Sequence, residues 1–262
     1  MTSDVRFVRI TWRVIALVLV TGVLYPFSVA SAFVYARLAP ASVTRDAVGS
    51  WRTTIFHLWA RCVRPLLGIR TDVRGRPPEP PFFLVSNHLS YVDVILLASH
   101  VRCVFLAKAE VAGWPVAGAL CRSADTVFID RESKRDIPRA MRRIERVLAG
   151  GRGVVIFPEG SSTKGAGVQR FRPSLLEAAA QAELPVSYAA LSYRTPAGCA
   201  PAHLSVCWWG DMTFMRHLLA LLGLPRIDAM LVFGEEPIRE RDRKLLAERL
   251  HCAVEQRFQP VV

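Results

Sequence analysis

From Val14 to Ala36 the chain runs for 23 residues without a charged side chain, bracketed by Arg13 and Arg37. About 20 apolar residues at 1.5 Å rise cross a bilayer core, so the run is long enough to be a membrane element. Arg6, Arg9 and Arg13 followed by Ala30-Ser31-Ala32 also have the form of a signal peptide, but the apolar run continues past that cleavage-like site. Pro26 lies mid-run, where a missing N–H and a ring clash kink or break a helix. A bent anchor or a shallow hairpin is therefore as compatible as a straight span. Arginines at both ends leave its orientation open.

From Trp51 to Leu67 the apolar residues Trp51, Ile55, Leu58, Trp59, Cys62, Val63, Leu66 and Leu67 recur at helical spacing. Thr53, Thr54, His57, Arg61 and Arg64 fall on the opposite side. Trp on one face and Arg on the other suit a membrane interface, and an amphipathic helix packed on a domain gives the same pattern. His57, on the polar face, is expected to be solvated. Residues 1–70 are thus expected to form a membrane-anchoring helical region, and 71–262 a separate α/β domain.

Arg70 to Pro81 is rich in proline, glycine and charge, the composition of a linker or a domain boundary. Beyond it, short apolar runs alternate with longer helical patterns. Strands are expected at Phe82–Ser86, Cys103–Ala107, Thr126–Ile129, Gly153–Phe157, Pro185–Leu191, His203–Trp208 and Ala229–Phe233. Helices are expected at Val92–Ser99, Trp114–Cys121, Arg135–Ala149, Pro173–Ala182, Met212–Leu222 and Glu240–Phe258. Such alternation predicts an α/β fold with a mostly parallel central sheet covered by helices, preceded by membrane-associating helices. At 262 residues and 52% hydrophobic, the chain can fill one such core with apolar surface to spare. The six cysteines are scattered, with no C-x-x-C pair and no His at metal-ligand spacing, so neither a metal site nor a disulfide framework is expected.

Four expected strand ends carry reactive residues. After the first comes Asn87-His88-Leu89-Ser90-Tyr91-Val92-Asp93. His88 and Asp93 are five apart, about 140° on a helix and opposite faces on a strand, so only a strand turning into a helix brings them together. There Asp93 would accept from one imidazole nitrogen and leave the other as a general base for an alcohol. The alternative is a turn in which Asn87, Ser90 and Asp93 cap backbone groups and His88 is incidental. After the next strand stands Lys108, and after another Phe128-Ile129-Asp130-Arg131, where Arg131 suits bidentate phosphate recognition or a solvated ion pair. The last is Phe157-Pro158-Glu159-Gly160-Ser161-Ser162-Thr163-Lys164-Gly165, whose N–H and hydroxyl groups suit an anion. It is not a P-loop, and no G-x-S-x-G nucleophile elbow occurs in the chain. A base, cations and an anion-binding loop on one sheet edge point to group transfer on a phosphorylated substrate.

These blocks, in this order, resemble the lysophospholipid acyltransferase family, whose best-known members acylate 1-acyl-glycerol-3-phosphate. Asn87-His88-x4-Asp93 matches its N-H-x4-D block, Phe128–Arg131 its second, and Phe157-Pro158-Glu159-Gly160 with Ser161 and Thr163 its third. Lys108 through Pro115, with Trp114, is similar to the stretch between the first two. The resemblance spans about Phe82 to Leu191. It implies that His88, oriented by Asp93, deprotonates a lysolipid hydroxyl that attacks the thioester of acyl-CoA or acyl carrier protein, with no acyl-enzyme and no bound cofactor. It also implies that Arg131, Glu159, Gly160, Ser161 and Thr163 hold the acceptor, and that Lys108 or nearby N–H groups stabilise the oxyanion. The family's membrane-associating helices match Val14–Leu67, which places the protein on the inner membrane with its catalytic domain toward the cytoplasm. The fourth block departs: Leu184-Pro185-Val186-Ser187-Tyr188 has one proline where the family has two, which leaves the acceptor open.

Lysophosphatidate is the first acceptor expected, with a lyso-ornithine-type aminolipid as the alternative. A catalytically silent lipid-binding protein is the reading from another class, against which an oriented base argues. A net charge of +12 fits an anionic lipid surface. It also raises nucleic acid as a partner, but the cations are dispersed and no nucleic-acid-binding motif is present, so none is expected.

Overall fold

The computed structural model describes residues 3–38, 44–130 and 136–261. Two helices open the chain, α1 (Ser3–Leu38) and α2 (Thr44–Leu66). The first continues through Pro26, so neither a break nor a hairpin forms at that proline. The second starts seven residues before the expected Trp51. It stops at Gly68, whose φ of 75° lies in the left-handed region that ends helices without a Cβ penalty.

Seven strands among the described residues form one sheet: β1 (Ile69–Arg74), β2 (Phe83–Ser86), β3 (Cys103–Lys108), β4 (Val127–Ile129), β5 (Gly153–Ile156), β6 (Val186–Arg194) and β7 (Ile227–Phe233). Their order is β1-β7-β6-β2-β5-β3-β4, and every neighbouring pair is parallel except β6 with β7. The central strands β2 and β5 are buried at every residue, as a sheet covered on both faces demands. In β1 only Ile69 is buried. It is an edge strand, and its charged residues gave it the composition of a linker. The expected linker therefore begins with a strand, and the expected boundary at 70/71 falls inside it.

Among the described residues seven more α-helices accompany the sheet, the last of them after β7: α3 (Val92–His100), α4 (Ala117–Ser123), α5 (Asp136–Ala149), α6 (Glu177–Gln181), α7 (Ala202–Ser205), α8 (Phe214–Leu222) and α9 (Arg243–Glu255). Helix α5 shows why patterning worked: Ala140, Met141, Ile144 and Val147 are buried at helical spacing. Helix α9 starts where Asp242 accepts the N–H groups of Lys244 and Leu245 at 2.7 and 3.0 Å. One expected strand is wrong. His203–Trp208 begins in the short helix α7 and continues as irregular chain, because Ser205 Oγ bonds back to the Pro201 carbonyl at 2.9 Å and holds a turn.

Helix α2 packs on α1, α3 and the strands β1 and β3. Ala60, Val63 and Leu67 join the core, whereas Trp51 and Leu58 from the expected apolar face are 37% and 45% exposed. His57 is half-buried instead of freely solvated. Its Nδ1 lies 2.6 Å from the Ala98 carbonyl at the end of α3, and burial, opposed by that bond, lowers its pKa.

Candidate active site

The sheet order places β2, β5, β3 and β4 side by side, so the four motif-bearing strand ends are neighbours along one edge. His88 follows β2 and Asp93 lies in the first turn of α3. The tight passage from strand to helix brings His88 Nδ1 to 2.8 Å from Asp93 Oδ2. Asp93 is fully buried, and the same Oδ2 also accepts the N–H groups of Leu89 (2.6 Å) and Ser90 (2.9 Å). The carboxylate, in the first turn of α3 where the helix dipole favours negative charge, thus closes the turn before the helix and orients the imidazole. The two readings of this motif, turn capping and chemistry, describe the same side chain. With Nδ1 engaged by Asp93, Nε2 is the ring nitrogen left for a substrate.

The imidazole is held on its flat side as well. Phe157, the last residue before the Pro158–Gly165 loop, stacks on it with ring centroids 4.1 Å apart and planes 14° from parallel. The side chain is one-fifth exposed and so keeps some contact with solvent.

Glu159 sits beneath this pair and is 3% exposed. Its Oε1 accepts the backbone N–H of His88 at 2.6 Å and its Oε2 that of Gln169 at 3.1 Å. Burial pushes its carboxyl up to about 8, opposed by these two bonds and assisted by the charge of Asp93. Thr163 N donates to the His88 carbonyl at 3.0 Å. Both backbone groups of His88 are therefore gripped by the loop after β5. A loop that looked like an anion cradle spends several of its groups holding His88. Gly160 is buried with φ 90°, and its N–H turns back to the Phe157 carbonyl at 3.1 Å. Gly165, at φ 81°, has Val261 close by: a Cβ there would meet the valine at 2.9 Å, and Val261 N donates to the Gly165 carbonyl at 2.8 Å.

Of the other expected site residues, Lys108 is exposed at the end of β3 and Ser161 is exposed in the loop, while Thr163 is buried. Arg131 lies outside the described residues. The local patterns missed several contributors. Asn87, expected as a turn residue at the head of the N-H-x4-D block, receives the Leu191 N–H at 2.7 Å and donates to the Leu191 carbonyl at 2.9 Å, tying the turn to β6. Tyr193, also on β6 and fully buried, donates to Asp93 Oδ1 at 2.7 Å. Trp208 N donates to the Leu89 carbonyl at 2.8 Å. Trp208, Tyr91, Trp114 and Phe214 form an aromatic cluster beside the turn, with centroids 5.0 to 6.5 Å apart. No local signal marks such contacts, since their partners lie far along the chain.

The geometry is an oriented imidazole with a fully buried carboxylate behind it, at the carboxyl edge of a parallel sheet. Residues 70–192 match the family model described as Acyltransferase. A lyso-ornithine lipid O-acyltransferase of Rhodobacter capsulatus is 33% identical over 211 residues, covering 78% of this chain and 75% of that protein. A 1-acyl-sn-glycerol-3-phosphate acyltransferase of Neisseria meningitidis is 32% identical over 198 residues, covering 74% and 76%. The crystal structure of the 1-acyl-sn-glycerophosphate acyltransferase PlsC from Thermotoga maritima superposes with a TM-score of 0.65 over 96% of this chain and 97% of that one, at 19% identity, and shows the same fold. The chain belongs to the acyltransferase family and is an acyltransferase of the lysophospholipid or lyso-ornithine lipid type.

Proposed function

We propose that the protein transfers a fatty acyl chain from acyl-CoA or acyl carrier protein to the free hydroxyl of a membrane lysolipid, with His88 as general base. The observation that carries this is the 2.8 Å contact between His88 Nδ1 and the buried Asp93, which leaves Nε2 for the acceptor. Nε2 takes the hydroxyl proton as the oxygen attacks the thioester carbonyl. When the tetrahedral intermediate collapses, the C–S bond breaks and the thiolate receives the proton back from Nε2. An ester and a free thiol result, and no group on the protein is acylated. N–H groups at the strand ends or exposed Lys108 stabilise the oxyanion. Ser161 and Gly160 face the acceptor, while Glu159 holds His88 by its backbone.

The acceptor we favour is a lyso-ornithine lipid, the substrate named for relatives 33–34% identical that cover 78–83% of this chain. The changed fourth block, with Tyr188 three residues after its single proline, leaves room for an acceptor other than lysophosphatidate. Lysophosphatidate is the second reading, supported by the Phe128–Arg131 block and by the Neisseria relative. In detergent or proteoliposomes, His88→Ala is expected to lower transfer by about 10³-fold with either thioester. The preferred acceptor is the one with the higher kcat/KM in a panel of both. Wild-type transfer by His88→Ala would overturn the mechanism.

Helix α1 is long and apolar enough to cross a membrane. Its contacts favour a helix lying in the interface instead. Arg9 and Arg13 bond carbonyls at the end of α8, Leu24, Tyr25 and Ser28 line a cavity shared with α2 and α4, and Ser31 receives the Trp51 indole N–H. Docking from Arg9 to Ser31 covers about 33 Å at 1.5 Å per residue, as much as a bilayer core is thick. The outward face carries Phe7, Val8, Ile15, Leu19, Val23 and Phe33, all at least half exposed. We place this face in the inner leaflet of the inner membrane, with the site opening toward the cytoplasmic headgroups.

A further inference from the structure

We propose that Tyr193 is a positioning residue for the reaction: its phenol, acting through Asp93, sets the orientation of His88 and how strongly the imidazole holds the acceptor's proton. The inference rests on His88 as general base.

The sheet register puts Tyr193 there. Strand β6 runs parallel to β2, with Ser86, the last residue of β2, beside Ala189. Where β2 ends and the chain turns through Asn87 and His88, β6 continues to Arg194. This overhang stands beside the turn. Asn87 clamps both polar groups of the Leu191 peptide, and two residues on the Tyr193 hydroxyl reaches Asp93 Oδ1 at 2.7 Å.

The two oxygens of Asp93 are loaded unequally. Oδ2 accepts from His88 Nδ1 and the N–H groups of Leu89 and Ser90, whereas Oδ1 accepts from Tyr193. Both side chains are almost completely inaccessible, so water does not take the place of the phenol. Without it, a carboxylate oxygen is left buried with no donor, a costly state in which the group, still bonded to His88 Nδ1, tilts and aligns the imidazole less well. Tyr193 is suited to the role because burial and the neighbouring Asp93 charge push its phenol well above the ordinary tyrosine range, so it stays a donor. The other titratable groups facing Asp93 are His88 from the turn, Glu159 from the loop after β5, and Cys207 after α7. Cys207 is a thiol raised by burial and by the same carboxylate.

The phenol draws charge out of the carboxylate. Removing it concentrates charge on Oδ2 and strengthens the bond to His88 Nδ1, so the protonated imidazole is stabilised. In Tyr193→Phe, kcat should fall about tenfold with KM for both substrates within twofold of wild type. The acid limb of the pH–rate profile should move to higher pH by about half a unit. If Tyr193→Phe does not fold, 3-fluorotyrosine at position 193 keeps the volume and the hydroxyl while making it a stronger donor. The acid limb should then move to lower pH. On an Asp93→Asn background, Tyr193→Phe should cause no further loss. A merely structural tyrosine would lower the folded fraction without moving either limb. Unmoved limbs, or losses that add on the Asp93→Asn background, would overturn the proposal. If His88→Ala is inactive while Tyr193→Phe keeps wild-type kcat and limb, the Tyr193 proposal alone fails. If His88→Ala is active, the base reading fails and this proposal with it.

Discussion

Around His88 a single side chain often carries two duties. Asp93 closes the turn before α3 and orients the imidazole, and Glu159 closes a loop while holding the His88 backbone. Glu159 also has a measurable cost. Its carboxyl is raised by burial from an ordinary 4.5 to about 8, so the folded chain holds this proton more tightly than the unfolded one. Its contribution to stability is therefore full below about pH 4.5 and declines as pH rises toward 8. Glu159→Gln, which mimics the protonated group, should flatten that decline. Thermal unfolding of the detergent-solubilised protein between pH 5 and 8.5 measures it. Identical slopes for variant and wild type would place the pH dependence elsewhere.

Between elements, the informative joint is that of α1 with α8. Arg13, 4% exposed in a largely apolar helix, donates to the Leu222 and Leu224 carbonyls at 3.0 and 2.7 Å. Helix C-termini leave carbonyls unpaired and carry a partial negative charge, so a guanidinium suits the position. The arginine that brackets the apolar run is therefore a rivet between that segment and the α/β domain. Arg13→Ala should lower stability by about 2 kcal/mol, because it leaves buried carbonyls without a donor. An unchanged melting temperature would show that α1 is not held there.

Across the whole molecule, the exposed apolar residues cluster on α1 while the sheet and its helices enclose an ordinary core. An in-plane helix sinks that face into the headgroup–acyl boundary and leaves both its ends on one side of the membrane. Single cysteines at positions 5 and 35, on a background with the six native cysteines replaced, should react with an impermeant maleimide from the same side of sealed vesicles. Labelling from opposite sides would establish a span. Phe7→Asp with Leu19→Asp should release the protein from vesicles, since each large apolar side chain contributes about 1.5–3 kcal/mol when buried. Retention equal to wild type would mean that another surface anchors it.

What the sequence determined is whatever has a local physical cause. Periodicity marks an amphipathic helix such as α5, and unbroken apolar runs mark β2 and β5, because burial on one or both faces is written into neighbouring residues. The His88–Asp93 pair was legible for the same reason, since five residues are enough for a strand to turn into a helix and close the contact. The edge strand β1 was not legible, because its polar residues are those of a loop and only pairing with β7 makes it a strand. Nor was the half-burial of His57, which depends on the end of α3 arriving beside it. Tyr193, Asn87's hold on β6 and the grip of Glu159 on His88 all join residues 71 to 104 positions apart. Only tertiary structure decides such contacts, because a hydrogen bond depends on where two strands lie in the sheet and not on the residues between them.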